Sequence, residues 1–268
     1  MNGVTQSGDT NIIGAVSIGE GSSARQSGPI HVGRTPQDAV QRWKPAQDEQ
    51  RATDAGVQRS FPPYRAVLVV DAARFSDTSS VQQTWLGAEV VRVLEAAFVR
   101  AGLADAWADR RFRAQAHTGD GYTVGLPTEI LPRLLHPLMR ELQEELRERD
   151  RNRRVSHPRL RLRASIHVGP LPDEGLENDG VAKPMTETHR LLDSAEVRDA
   201  LAAGHEEITF LAVIVSRRVV EDVVEGGYTG LHRDQFREVV ATAKRFAEVA
   251  YLYVPQHNWA EPVSQRDV

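Results

Sequence analysis

Two carboxylates in unlike surroundings, Asp71 and Asp120, are the side chains whose type and setting invite chemistry. Asp71 ends the apolar run Ala66-Val-Leu-Val-Val70, and Asp120 lies between glycines in Thr118-Gly-Asp-Gly-Tyr122. Consecutive apolar residues, mostly β-branched, predict a strand covered on both faces, so the acid at its end sits where a sheet opens to solvent. The second acid is flanked by strand-like Arg-Phe-Arg-Ala-Gln and Tyr-Thr-Val-Gly-Leu, the pattern of a tight hairpin over Arg113 to Leu126. An Asp in such a place can also do no more than cap a turn. Two acids meeting at a strand end and a hairpin tip, however, repel unless a cation lies between them, and the pair predicts a divalent-metal site.

Strand and helix patterns alternate around these acids. Gln82 to Gly102 puts Leu86, Val90, Val93, Leu94 and Phe98 at helical spacing, with Gly102 as the stop. Thr128 to Asn152 predicts one long amphipathic helix carrying Leu131, Leu134, Leu135, Leu138, Leu142 and Leu146 on one side. Leu160 to Val168 alternates and predicts a strand closed by Gly169-Pro170. After a loop through Asp173 to Lys183, one helix is expected over Thr186 to Ala203, a third apolar strand over Ile208 to Val215 and a short helix over Ser216 to Val224. Phe236 to Ala243 and Ala250 to Val254 are expected to close the fold as an antiparallel pair.

With 268 residues and 40% hydrophobic content the chain can bury one core of ordinary size plus a loose extension. No apolar run approaches the roughly 18 to 20 residues that span a bilayer, and Met1-Asn-Gly-Val-Thr-Gln lacks a signal pattern, so a cytoplasmic protein is expected, with no membrane partner. The absence of cysteine excludes disulfides, cysteine-ligated zinc and thiol catalysis. A net charge of -4 gives no global pull toward nucleic acid, and the basic run Arg147 to Arg154 is expected to be a solvated helix end. No dinucleotide, P-loop or esterase motif occurs. His117, Asp120 and His167 do not make a transition-metal cluster, because successive strand positions face opposite ways.

The first sixty residues differ from the rest. Short β-prone pieces, Ile12-Ile13, Val16-Ser-Ile18 and Ile30-His-Val32, are punctuated by glycine. They bury little alone, so residues 1–35 are expected to be a glycine-rich β-prone tail, either loose or stacking between chains as a cross-β ladder. They loosely resemble amyloid-signalling motifs at the termini of bacterial immune proteins. A polar linker over 36–63, a folded domain over 64–256 and a tail over 257–268 complete the expected organisation.

From about Tyr64 to Pro255 the chain resembles the catalytic domain of class III nucleotidyl cyclases, in the stand-alone actinobacterial form, with a possible kinship to antiphage pyrimidine cyclases. Asp71-Ala-Ala-Arg-Phe75-Ser76 resembles the family's Asp-x-x-Gly-Phe-Ser/Thr, and Gly119-Asp120-Gly121 its Gly-Asp-Gly hairpin. Arg163-Ala-Ser-Ile-His167-Val-Gly-Pro170 resembles its Arg-x-Gly-Ile-His-x-Gly-Pro strand, and His189-Arg190-Leu-Leu-Asp193 the start of its Arg-Leu helix. The resemblance implies an α+β, ferredoxin-like sandwich: a mostly antiparallel central sheet with helices packed on it.

It also implies an activity, the closure of a nucleoside triphosphate to a 3′,5′-cyclic nucleotide with release of pyrophosphate. Two divalent ions, Mg2+ or Mn2+, would be held by Asp71, the Ala72 backbone and Asp120, and the peptide groups through Phe75 and Ser76 would hold phosphate. Arg190 stands where the family stabilises the reacting phosphate from the opposite subunit of a homodimer, and Lys244 where a lysine meets the triphosphate. Thr186 stands at the ribose-orienting Asn, Ala116 at the Lys that selects adenine, Asp179 near a second base-contacting position, and Arg74 at the glycine before Phe75. Adenine selection is therefore not expected, and uracil, cytosine and guanine stay open. Three readings follow: a homodimeric cyclase feeding a downstream effector in signalling or phage defence, a degenerate nucleotide sensor or adaptor, and an assembly protein led by its N-terminal segment.

Overall fold

The computed structural model describes residues 60–113, 116–176 and 179–255. The tail expected over 1–35, nearly all of the linker over 36–63 and the C-terminal tail over 257–268 lie outside the described residues.

The chain enters the sheet at β1 (Tyr64–Ala72), whose residues from Ala66 onward are all buried. Antiparallel neighbours flank it, β2 (Gly121–Leu126) and β3 (Leu162–Pro170), and β4 (Leu211–Ser216) runs parallel to β3. β5 (Arg237–Ala243) and β6 (Phe246–Tyr253) form the closing hairpin, with β6 antiparallel to β4. The order is β2-β1-β3-β4-β6-β5, a mixed and mostly antiparallel sheet with helices packed on it, the α+β architecture expected.

Alternation along the strands makes two different faces. Ala66, Leu68, Val70 and Ala72 of β1 and Leu162, Ala164, Ile166 and Val168 of β3 pack into the large core with α1 (Ser80–Arg100), α2 (Ala104–Ala108) and α3 (Met139–Arg151). The other face carries α4 (Lys183–Leu192) and α5 (Ala195–Ala203) over two smaller apolar clusters. α1 starts at a capping box between Ser79 and Gln82. It ends on Gly102 at φ 67, where the N–H groups of Gly102 and Leu103 bond the carbonyls of Val99 and Phe98.

Three expectations are corrected. The helix expected over Thr128 to Asn152 is broken: His136 is extended (φ -148, ψ 123) before Pro137, and the regular helix begins only at Met139. Proline lacks the N–H a helix needs and pushes its predecessor out of the helical region, which overrides the leucine period. The helix expected over Thr186 to Ala203 is two helices, parted at Asp193-Ser194, where Ser194 is extended (ψ 150). The hairpin expected over Arg113 to Leu126 has one regular arm: β2 pairs with β1, while Arg111 and His117 make single bridges to Gly125 and Tyr122. The basic run at the end of α3 is paired, Arg149 with Glu145 and Glu89, and Arg153 with Asp150.

Candidate functional site

Asp71 and Asp120 meet at one end of the sheet. Gly121 is the register partner of Asp71, and the Ala72 N–H donates to the Asp120 carbonyl at 2.9 Å, which ties the hairpin tip to the end of β1. Beside them opens a cleft of about 430 Å³, lined by the loop Ala72–Ser76, by Asp120 and by Arg161, Arg163 and Arg198. Of the expected site residues, Ala72, Phe75, Ser76 and Asp120 therefore share one cavity.

Asp71 itself is turned to a partner that its sequence context does not announce. Arg163 lies directly opposite it on β3, and its guanidinium grips both carboxylate oxygens, Nε to Oδ1 at 2.8 Å and Nη2 to Oδ2 at 2.5 Å. Burial pushes Asp71 up to about 6; Arg163 pulls the other way, and the charges of Asp120 and Asp193 add to the rise. The guanidinium is thus taken up by Asp71, and the neighbouring Asp120 carboxylate makes no hydrogen bond or ion pair among the described residues.

The loop that follows has a cradle smaller than expected. The N–H groups of Ala72 and Ala73 are spent on the carbonyls of Asp120 and Arg161, leaving those of Arg74, Phe75 and Ser76 for an anion. Arg74 adopts φ 59, the left-handed conformation that a glycine takes without strain, and its exposed side chain pairs with Asp77 at 3.2 Å. Arg161 is held by the carbonyls of Thr209, Leu201 and Gly204. Arg198 makes one long bond to the Asp193 carbonyl at 3.4 Å. The cleft is cationic on balance, as a polyphosphate requires.

Asp179 and Thr186 line a second, smaller cavity of about 160 Å³ with Phe112, Thr123, Met185 and His189. The Asp179 carboxylate accepts the N–H groups of Glu174, Gly175 and Leu176, and these bonds hold it below the usual carboxylate range. The cavity also holds the Thr123 hydroxyl, buried at 3% exposure without a partner, and His189, whose pKa burial lowers while the charges of Asp193 and Asp120 oppose. Phe112 walls it, and its ring fits because Gly125 and Gly180 have no side chain there: a Cβ on Gly125 would come within 2.3 Å of the ring.

The remaining expected residues line neither cavity. Ala116 is 1% exposed and packs into the large core. Arg190 stands half-buried on α4 with Asp193 at 4.0 Å. Lys244 occupies the tip of the β5–β6 hairpin at φ 56. Since Ala250 pairs with Ser216 at the far end of β4, while Leu211 at its near end adjoins Leu162, that tip is at the end of the sheet opposite Asp71. Arg161, Arg163, Arg198 and Thr123 were given no role at the site from the sequence, although Arg163 opens one of the matched motifs. For the first two the signal existed: in Leu160-Arg-Leu-Arg-Ala the arginines occupy alternate positions, which places them on the face that Asp71 shares.

Of the two adjacent acids only Asp71 is paired, with Arg163, so the charge of Asp120 is uncompensated, which suits a cation in kind, while Arg163 competes for Asp71. Among the described residues no group of three or more His, Asp or Glu is gathered to hold a metal without help from a ligand.

No protein-family model matches the chain, and no curated protein matches it. Solved structures do resemble it. One is the catalytic core of a rhodopsin-guanylyl cyclase with converted specificity, crystallised with ATPalphaS: TM-score 0.46 at 12% identity over 73% of this chain and 97% of that one. The monomeric guanylyl cyclase domain of a fusion protein from the aquatic fungus Blastocladiella emersonii has a TM-score of 0.44 at 11% identity over 72% and 96%. The guanylyl cyclase Cya2 has a TM-score of 0.44 at 16% identity over 76% and 98%.

Proposed function

We propose that the chain binds a nucleoside triphosphate with its phosphates in the cleft at the end of β1 and, as a homodimer, closes it to a 3′,5′-cyclic nucleotide with release of pyrophosphate. The observation that carries this reading is the convergence of Asp120, the loop Arg74–Ser76 and an arginine-rich wall on one cleft, with Asp71 immediately behind. Mg2+ or Mn2+ would be held by Asp71, the Ala72 backbone and Asp120, and when bound supplies charge neutralisation on the phosphates and a more acidic 3′-hydroxyl. The loop N–H groups and the arginines orient the triphosphate, so that pyrophosphate departs toward the cationic wall. Arg190 and Lys244 line no part of their own chain's cleft, which supports a composite site in which a second copy presents them, while Thr186 lines the small cavity of its own chain. The cavity with Thr123 and His189 would take the base. The product would act on an effector protein that recognises a cyclic nucleotide, as in phage-defence signalling.

The test is purified full-length chain with Mn2+ and each of the four ribonucleoside triphosphates in turn. Pyrophosphate release and a cyclic product with at least one of them are expected; silence with all four removes the enzyme reading. A second reading, a nucleotide sensor that does not turn over, is favoured by the ion pair that engages both oxygens of Asp71. It gains if one triphosphate raises the melting temperature while none releases pyrophosphate.

A further inference from the structure

Arg163 has no role so far beyond its ion pair, yet its position is unusual for a structural partner. It is the register partner of Asp71 across two hydrogen-bonded strands, so both side chains rise from the same face with no backbone freedom to part them. The pair is largely desolvated, with side chains 14% and 11% exposed. Arg163 lines the cleft next to the phosphate loop and Asp120. Its guanidinium therefore borders two negative claims, a carboxylate pair that lacks a second cation and a pocket shaped for phosphate. A planar fork satisfies a carboxylate and a phosphate with the same two-point geometry, and several side-chain torsions separate the two without moving β3.

The geometry points to Arg163 as a built-in competitor for Asp71: a divalent ion that takes Asp71 must displace this guanidinium, which then turns onto the phosphates in the same cleft. This rests on the reading of the cleft as a triphosphate site. Metal loading and phosphate binding are thereby coupled through one side chain. Because Arg163 holds both oxygens, Mn2+ alone binds the wild-type chain weakly. Once Asp71 is surrendered, the positive charge is conserved within the cleft and is not lost to solvent.

The experiment uses the full chain and probes other than turnover. Free Mn2+ is titrated by electron paramagnetic resonance without nucleotide, and inorganic tripolyphosphate by calorimetry at saturating Mn2+. Arg163→Gln is expected to bind Mn2+ about tenfold more tightly than wild type, an increase erased by adding Asp71→Asn, and to bind tripolyphosphate about tenfold more weakly. Arg163→Lys keeps the charge without the fork and is expected to fall between wild type and Gln in both titrations; it carries the test should the Gln variant not fold. Unchanged Mn2+ affinity, or unchanged tripolyphosphate affinity, overturns the inference. Cyclic product without a Mn2+ shift overturns it and leaves cyclisation standing; a Mn2+ shift without product does the reverse.

Discussion

The two faces of the sheet are built from the same strands and do opposite work. On the face under α1, α2 and α3, every residue that β1 and β3 present between Ala66 and Val168 is apolar and buried; the polar contacts there come from the helices, where Arg100 and Arg149 bridge α1 to α3 and the buried Gln143 bonds the backbone of Ile208, Phe210 and Leu211. On the face under α4 the same two strands present Asp71, Arg163, Ser165 and His167, and β2 adds Thr123. Alternation lets one strand serve stability on one side and chemistry on the other, with no residue asked to do both. Polar groups are tolerated at such depth because most find partners: Arg163 holds Asp71, Ser165 donates to the Thr188 carbonyl at 2.9 Å, and His167 stands 3.4 Å from Glu187.

The sharpest way to break this division is to cut each face in turn. Phe98, fully buried on the helical face with its ring 5.2 Å from Trp107, is expected to cost about 4 kcal/mol when changed to Ala, read as a shift in urea-unfolding midpoint. Triphosphate affinity of the folded fraction should not change; a loss of binding there would mean that the faces are coupled. Next in size is Asp120→Asn, on the other face. Stability should move by less than about 0.5 kcal/mol, because the Asp120 carboxylate has no partner to lose. Pyrophosphate release should fall about 100-fold. A large stability change with activity intact would reverse the assignment.

How much of this was legible depends on which interactions are local. β1, α1 and the closing β5–β6 hairpin are written in runs and periods of one segment, and each appears close to where the pattern puts it. Pro137 and Ser194 carried readable stop signals too, but the apolar period runs across both and masks them. Asp71 and Asp120 were visible because each interrupts a local pattern, one an apolar run and the other a pair of glycines. Arg163 was visible as the start of a matched motif and by its alternation with Arg161, but its pairing with Asp71 was not, since that comes from register with a strand 92 residues away. Ala116, Asp179 and Lys244 teach the converse: each stands where the resemblance puts a substrate contact, but burial, backbone capping and the hairpin tip respectively decide what each can reach within its own chain.

A smaller effect probes how the functional face is kept thin. Gly125 of β2 lies under Phe112, and a methyl group there would meet the ring at 2.3 Å. Gly125→Ala is expected to destabilise by about 2 kcal/mol as Phe112 is displaced. Since Phe112 walls the small cavity beside Thr123, the ratio of affinities among the four triphosphates should also flatten. If stability falls while that ratio is untouched, the cavity is packing and not a base pocket.

The smallest expected effect concerns pH, to which only the polar face should respond between about pH 7 and pH 5. Burial lowers the pKa of His167 below its ordinary value, the nearby Glu187 carboxylate opposing, and burial does the same to His189. A histidine depressed in the folded chain takes up its proton more readily when unfolded, so acid favours unfolding: the stability is complete above the ordinary value near 6.5 and is lost as pH falls from there through the folded value. Asp71 opposes them, since its carboxyl, pushed up to about 6, protonates in the folded chain first and adds stability as pH falls through the same window, so the readout is the urea midpoint of wild type relative to a His167 variant. Against His167→Gln, which keeps a donor near Glu187 but cannot titrate, the wild-type midpoint should fall steadily as pH goes from about 7 to about 5, while His189 and Asp71 act alike in both chains and cancel from the difference. An unchanged slope in the Gln variant would show that His167 meets the acid range already relieved by Glu187, and that the polar stripe on β3 is insulated from solvent protons as completely as the apolar face behind it.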